Sequence, residues 1–188
     1  ANNYVRCVFE SSKKECFVGT LSGLQHYSAD ADRFTDIPLI LQDGIIVEPN
    51  VAAIEELSNG DLLVGTAGQG LFKITNTHKG LVGISMEKRI PIPIVNALHE
   101  DRNGNLWISA GENGIFRIDR NQQLHCYQKG ANESEYTISS ICETPDKQIY
   151  IGSLGKGLLK YNPTLDLFEP IIYANHPELP VKSLLLAT

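Results

Sequence analysis

The feature that most constrains this chain is internal repetition. Four segments line up along it: Val5-Arg-Cys-Val-Phe-Glu10, Val51-Ala-Ala-Ile-Glu-Glu56, Val95-Asn-Ala-Leu-His-Glu100 and Ile138-Ser-Ser-Ile-Cys-Glu143. Each has a β-branched residue first, an apolar residue fourth and Glu sixth. A fifth copy begins at Val181-Lys-Ser-Leu-Leu-Leu186 without the Glu, and the offsets between copies are 46, 44, 43 and 43 residues. A second landmark follows each complete segment: Phe17-Val-Gly-Thr20, Leu63-Val-Gly-Thr66, Trp107-Ile-Ser-Ala110 and Tyr150-Ile-Gly-Ser153. A glycine turn then leads into Gly23-Leu-Gln-His-Tyr27, Gly70-Leu-Phe-Lys-Ile74, Gly114-Ile-Phe-Arg-Ile118 and Gly157-Leu-Leu-Lys-Tyr161. A period in this range is the mark of a repeat architecture and decides the fold before any motif is considered.

Each copy reads as four strands, A to D in chain order. Strand A is the Val/Ile segment and strand B the aromatic run. Between them, Ser58-Asn-Gly-Asp61 and Arg102-Asn-Gly-Asn105 predict a hairpin of type I′, where both central residues take positive φ. Copy one has Ser11-Ser-Lys-Lys14 there and copy four Pro145-Asp-Lys147. Strand D, as in Leu124-His-Cys-Tyr-Gln128, is polar and suits an exposed sheet edge. No segment reads as a helix of any length. Four-stranded sheets at this spacing predict propeller blades at 5–50, 51–94, 95–137 and 138–180, with 181–188 starting a fifth. The expected fold is therefore all-β: a β-propeller segment of four antiparallel blades. Four complete blades followed by the first strand of a fifth lead to the expectation that the segment is part of a larger ring.

Composition removes several function classes. The net charge of −6, with no basic run longer than two residues, argues against a nucleic-acid partner. No apolar run reaches the roughly 20 residues needed to cross a bilayer, so no direct membrane contact is expected of this segment. The four cysteines, Cys7, Cys16, Cys126 and Cys142, lack metal-type spacing and read as small buried apolar residues. Cys7 and Cys16 fall on neighbouring strands of one hairpin, which leaves a disulfide open.

The run Asn103-Gly-Asn-Leu-Trp-Ile-Ser-Ala-Gly-Glu-Asn-Gly-Ile-Phe-Arg-Ile-Asp119 resembles the two-component regulator propeller repeat, as does Ser58-Asn-Gly-Asp-Leu-Leu-Val-Gly-Thr-Ala-Gly-Gln-Gly-Leu-Phe-Lys-Ile74. Copies one and four depart from it by lacking Asn-Gly. The resemblance implies the periplasmic sensor region of a hybrid two-component histidine kinase, of the kind by which gut Bacteroidetes sense polysaccharide breakdown products. It implies a ring of about seven blades, a kinase and effector elsewhere in the parent protein, and no catalytic residue in these repeats.

Candidate sites follow from the loops that join strand D to the next strand A, and strand B to strand C, since loops on rigid scaffolds carry function. The longest is expected to run from 75 to 93 and holds Lys88 and Arg89. Tyr136, Tyr173 and His176 lie in others, and Asn113 and Lys156 in B–C turns. Tyr136 and Tyr173 lead this set, because saccharide sites favour an aromatic plane beside amide and charged groups. The basic position on strand C (His26, Lys73, Arg117, Lys160) offers an arc of charge for an anionic sugar; cross-strand pairing and solvation of the repeat is the preferred reading. The same reading covers the recurring Glu10, Glu56, Glu100 and Glu143. Asp101-Arg-Asn-Gly-Asn105 with Glu112 spaces oxygens like a calcium loop, but Leu106 stands where that loop needs glycine, so a hairpin is expected and no metal or cofactor.

The expected function is thus a periplasmic, non-catalytic sensor segment responding to a saccharide. Its expected partners are an oligosaccharide and either the remaining blades of the parent chain or a second copy. The alternative is a protein–protein interaction propeller without a small-molecule ligand. An enzyme such as a streptogramin-lyase-like propeller would need clustered acid/base or metal residues, and the sequence offers none.

Overall fold

A computed structural model describes residues 4–78, 80–86, 88–127, 137–172, 180–182 and 184, with position 112 described by its backbone. The chain forms two compact units, Ala1–Val95 and Asn96–Thr188. Among the described residues there is no α-helix; one 3-10 turn spans Gly111–Asn113.

In the first unit, β1 (Val5–Glu10), β2 (Cys16–Thr20), β3 (Gly23–Ser28) and β4 (Arg33–Ile37) form an antiparallel sheet in that order. The second blade comprises β7 (Val51–Glu56), β8 (Leu62–Thr66), β9 (Leu71–Thr77) and β10 (Gly80–Ser85). In the second unit, β11 (Ala97–Glu100), β12 (Leu106–Ser109), β13 (Ile115–Ile118) and β14 (Leu124–Tyr127) make one blade. The last comprises β15 (Thr137–Glu143), β16 (Ile149–Leu154), β17 (Gly157–Asn162) and β18 (Leu167–Ile171). The registers make Phe17, Leu63, Trp107 and Tyr150 equivalent, each standing opposite the basic residue of strand C. Strands β8 and β12 are buried at every residue, because both faces of the sheet are covered. That is why they read as continuous apolar runs rather than alternations.

The second blade has more than four strands. The connection from blade one folds into β5 (Leu39–Ile40) and β6 (Ile46–Val47), and β5 pairs parallel with β10, giving the order β6-β5-β10-β9-β8-β7. Leu39 is fully buried because Gly83 opposite has no side chain: a Cβ there would collide with the Leu39 side chain. The first part of the expected loop at 75–93 is strand, since β9 runs to Thr77 and β10 from Gly80 to Ser85. Only residues 86–94 connect onward. The four blade strands β7–β10 keep the expected order, and the D–A connection adds β5 along the outer edge of β10, so that edge is paired rather than bare.

The A–B hairpins share one turn in all four blades, and it is not type I′. Positive φ occurs at Lys14 (65°), Gly60 (82°), Gly104 (75°) and Lys147 (64°), while the residue before each is not left-handed. Each turn closes through the same pair of backbone bonds, as in Gly104 N–H to the Asp101 carbonyl (2.8 Å) and Asp101 N–H to Asn105 (2.9 Å). This is a type I turn followed by one left-handed residue. Lys14 and Lys147 occupy the glycine position, so copies one and four keep the turn while losing its sequence signature.

What locks neighbouring blades is a small residue in strand B. A Cβ on Gly19 would lie 2.6 Å from a Val51 methyl, one on Gly65 would lie 3.0 Å from Val95 Cβ, and one on Gly152 would lie 2.8 Å from a Val181 methyl. The first β-branched residue of each strand A thus presses on the glycine of the strand B before it. In blade three Ser109 stands at this position, and its hydroxyl donates to the Ile138 carbonyl at 3.1 Å. Val51, Val95 and Ile138 are fully buried as a result. No strand is formed by the described residues of the expected fifth segment, yet the Val181 N–H donates to the Ser153 carbonyl at 3.0 Å.

None of the four cysteines is in a disulfide. Cys7 faces Gly19 and Cys16 faces Glu10, so the ladder does not set them opposite each other. Against the expectation of four buried thiols, Cys7, Cys16 and Cys142 are half-buried and Cys126 is exposed, the last because β14 is an outer strand; burial raises the Cys7 thiol pKa.

Gly65→Ala places a methyl where Val95 already sits. Urea unfolding is expected to show a loss of about 1–3 kcal/mol, the usual cost of overpacking a filled core. Alanine at the exposed, extended Leu167 position should stay within roughly 0.5 kcal/mol of the parent.

Candidate ligand-binding site

The loop edge of each blade is built by the residue that ends strand B. Thr66 is fully buried; its hydroxyl donates to the Gly70 carbonyl at 2.8 Å and accepts the Gln69 N–H at 3.1 Å. Thr20 does the same with Gly23 and Ser22, and Ser153 accepts the Lys156 N–H at 3.3 Å. In blade three Ala110 has no hydroxyl, and the 3-10 turn replaces it, with Asn113 N–H reaching the Ala110 carbonyl at 3.1 Å. The turns are then tied to the incoming D–A connection: Gly23 N–H donates to Pro49 at 2.8 Å, and Gly70 N–H to Pro93 at 2.7 Å. Loops held this way are rigid enough to present side chains.

In the first unit three clefts border the 38–50 connection. One of about 540 Å³ lies between the B–C turn of blade one and that connection; Ser22, Gln25, Asp36 and Glu48 give it a polar lining. Gln25 donates its amide to Asp36 at 2.9 Å, which fixes both groups. Another of about 370 Å³ occupies the corresponding place in blade two and is apolar, lined by Leu41, Pro91, Ile92 and Pro93 around Gln69. The third, of about 390 Å³, lies against β9 and β10; Ile84 and Met86 line it beside Gln42, Lys73, Lys88 and Arg89.

The structure thus brings Lys88 and Arg89 into one cleft. Asn113 is exposed at the tip of the 3-10 turn, and Lys156 sits half-buried in the last B–C turn. Tyr136, Tyr173 and His176 lie outside the described residues. Missed by sequence reasoning were Gln25, Asp36, Glu48 and Gln42. The available signal was the repeat offset of 46, the longest in the chain, which marks the extra length of the first D–A connection.

The basic residues of strand C do pair across the sheet. His26 packs on Phe17 with ring centroids 5.1 Å apart, and Lys160 lies 5.9 Å from the Tyr150 ring centre. Lys73 binds Asp61 at 2.6 Å. Arg117 is mostly buried between the rings of Trp107, Tyr127 and Tyr161, at 5.4–5.6 Å from each centroid. Its charge is matched by Asp166 at 3.3 Å, and it also donates to the Tyr161 hydroxyl. Tyr127 and Tyr161 both donate to Asp166 Oδ1, at 2.6 and 2.5 Å. These bonds hold the Asp166 carboxyl below the usual range, while burial pushes both phenols up.

The recurring strand-A glutamates do something the repeat pattern did not disclose. Glu56 of blade two accepts the Ser12 N–H (2.6 Å) and hydroxyl (2.7 Å) from the A–B turn of blade one. Glu143 of blade four accepts the Arg102 N–H at 3.1 Å from the equivalent turn of blade three. Each is a brace between blades. The hydrogen bonds from Ser12 lower the Glu56 pKa. Asp101, buried, accepts from Asn103 N–H (2.9 Å), Asn105 N–H (2.9 Å) and Trp107 Nε1–H (2.8 Å), so its oxygens build the hairpin.

With the geometry in view, the comparisons place the fold first. The extracellular domain of a putative one component system from B. thetaiotaomicron superposes with a TM-score of 0.74 at 16% identity, over 94% of this chain and 25% of that one. Virginiamycin B lyase from Staphylococcus aureus gives 0.64 at 15% identity, over 88% and 54% respectively. PorZ, a surface component of the type-IX secretion system of Porphyromonas gingivalis, gives 0.59 at 12%, over 80% and 25%. At these identities the likeness establishes β-propeller blades, and the chain spans a quarter to about half the length of those proteins. Residues 90–112 match the family model described as two component regulator propeller, the stretch that contains the Asp101–Trp107 hairpin. No curated protein matches the chain in sequence.

Asp101→Ala removes the acceptor of four donors, the Asn103 and Asn105 N–H groups, the Asn105 side-chain amide and the Trp107 indole, at roughly 1–3 kcal/mol for each that is left dry. Fluorescence of the single tryptophan should shift to the red and the unfolding midpoint should fall. Asp166 sets an acid limit. Its folded pKa is depressed, so its contribution is present above the unfolded value of about 3.9 and is lost as pH falls through the lower folded value. Asp166→Asn is expected to lower stability at pH 7 and to flatten its decline below about pH 4, read from thermal midpoints across that range.

Proposed function

We propose that this chain is a segment of the extracytoplasmic, periplasmic sensor propeller of a hybrid two-component histidine kinase, and that it recognises a saccharide through the loop edge of its blades. The observation that carries the reading is the two component regulator propeller match on a blade whose A–B turn recurs in the other three. The structural likeness to an extracellular domain of a one component system supports the same placement. The polar cleft supports the ligand class, since paired amide and carboxylate groups suit sugar hydroxyls. Recognition without turnover follows from the sensor reading. The kinase and effector belong to other parts of the parent protein.

A second reading, a protein-interaction propeller, is favoured by one surface. Val5 and Val8 of β1 are 57% and 65% exposed, while the equivalent Val51 and Ile54 are 0% and 9%. That stripe has the shape of a blade face awaiting another blade, from the parent chain or a second copy.

Calorimetric titration with neutral and acidic oligosaccharides distinguishes the two. Saccharide binding that drops at least tenfold in Asp36→Ala, with no product formed on prolonged incubation, is the expected result. Loss of all saccharide binding together with concentration-dependent association that Val8→Lys abolishes would favour the interaction scaffold.

A further inference from the structure

We propose that the polar cleft of blade one is a subsite for an ammonium group, so that the saccharide it takes is an amino sugar whose amine is free. The proposal rests on the saccharide reading and names the ligand class. It starts from a break in the repeat. Gln25 stands opposite Asp36 across strands C and D of blade one. The same pair is Phe72 and Ser85 in blade two, Phe116 and Cys126 in blade three, and Leu159 and Pro170 in blade four. An apolar residue thus holds the strand-C position in three blades. An amide and a carboxylate replace the pair in the blade that carries the cleft of about 540 Å³. A repeat abandons its local rule in this way where a site is built.

The hydrogen-bonding groups of the lining then select the ligand. Gln25 donates its side-chain N–H to Asp36 Oδ1 at 2.9 Å, which leaves the second Asp36 oxygen and the Gln25 carbonyl oxygen as acceptors. Glu48 brings another carboxylate over the B–C turn. Its Cα lies 3.9 Å from where a Cβ on Gly23 would stand, and the Gly23 N–H donates to the Pro49 carbonyl at 2.8 Å. The other end of the connection is tied by the Gly83 N–H to the Pro38 carbonyl at 2.8 Å. Donors at the turn are already used: the Thr20 hydroxyl gives its proton to the Gly23 carbonyl at 3.1 Å and accepts the Ser22 N–H at 3.0 Å. Asp36 and Glu48 are the charged residues of the lining, and Ala1, Asn2 and Asn3, ahead of β1 in the chain, have no charged side chain. An ammonium offers three donors and no acceptor, which complements a lining rich in acceptors. Acetylating the amine would remove the charge and two of those donors and add an acceptor. Asp36 and Glu48 are exposed, so the attraction is screened by salt.

Titration of the 188-residue chain with glucosamine, glucose, N-acetylglucosamine and ethylammonium, at a pH where the amines are protonated, tests this. Glucosamine is expected to bind at least tenfold more tightly than glucose or N-acetylglucosamine, with a preference that shrinks as salt rises. Asp36→Asn/Glu48→Gln keeps the side-chain shapes, removes both charges and should abolish that preference without moving the unfolding midpoint. Glu48→Gln alone, which leaves the Gln25–Asp36 bond intact, should already weaken glucosamine binding several-fold. Equal affinity for glucosamine and glucose, or a preference that survives the double variant, overturns the ammonium subsite and leaves the saccharide reading standing. Ethylammonium binding that depends on Asp36 and Glu48, without binding of any sugar, supports the subsite and overturns the saccharide reading. Absence of binding by either amine overturns the inference.

Discussion

A β-branched residue pressed onto a glycine or serine of the preceding strand B sets the spacing on which everything else depends. Val51 on Gly19, Val95 on Gly65 and Val181 on Gly152 bring a branched side chain to within van der Waals contact of a neighbouring backbone. Two twisted sheets approach this closely where one of them carries no side chain or a small one. The contact buries Val51 and Val95 completely, and it leaves the rest of both faces at the separation their apolar residues fill. Where Ser109 replaces glycine, its hydroxyl meets the Ile138 carbonyl, so the extra atoms are accommodated by a hydrogen bond rather than by separation.

Once that distance is set, polar groups close the seams. Glu56 and Glu143 reach from one blade to an amide in the turn of the blade before, and Arg117 with Asp166 and two tyrosines does the same farther out along the sheets. Charge-assisted bonds of this kind are directional, so they fix the angle between blades that apolar contact leaves loose. Mostly buried Arg117 stands among aromatic faces and a carboxylate, the two environments in which a desolvated guanidinium is tolerated. The loop edge inherits the rigidity. The Thr or Ser ending strand B and the amides of Gly23 and Gly70 hold each turn against its D–A connection, and the clefts of the first unit lie in the gaps left between them.

The sequence by itself determined the repeat, its four strands and the equivalence of Phe17, Leu63, Trp107 and Tyr150, because a period and an apolar run are local properties of the chain. It also disclosed the pairing of strand-C basic residues across the sheet, since register follows from the repeat. Tertiary structure decided what depends on a neighbouring blade or a remote segment. The recurring glutamate looks like a solvated strand end until the turn of the preceding blade is set beside it. The glycine of strand B looks like a turn preference until Val51 or Val95 is packed on it. Lys14 and Lys147 show the same limit at a turn: backbone geometry imposed elsewhere forces lysine into a conformation that its sequence does not announce. The grouping of Lys73 with Lys88 and Arg89 arises because β10 returns beside β9 and the 86–90 turn folds back on it, bringing basic residues from separate parts of the chain around one cleft.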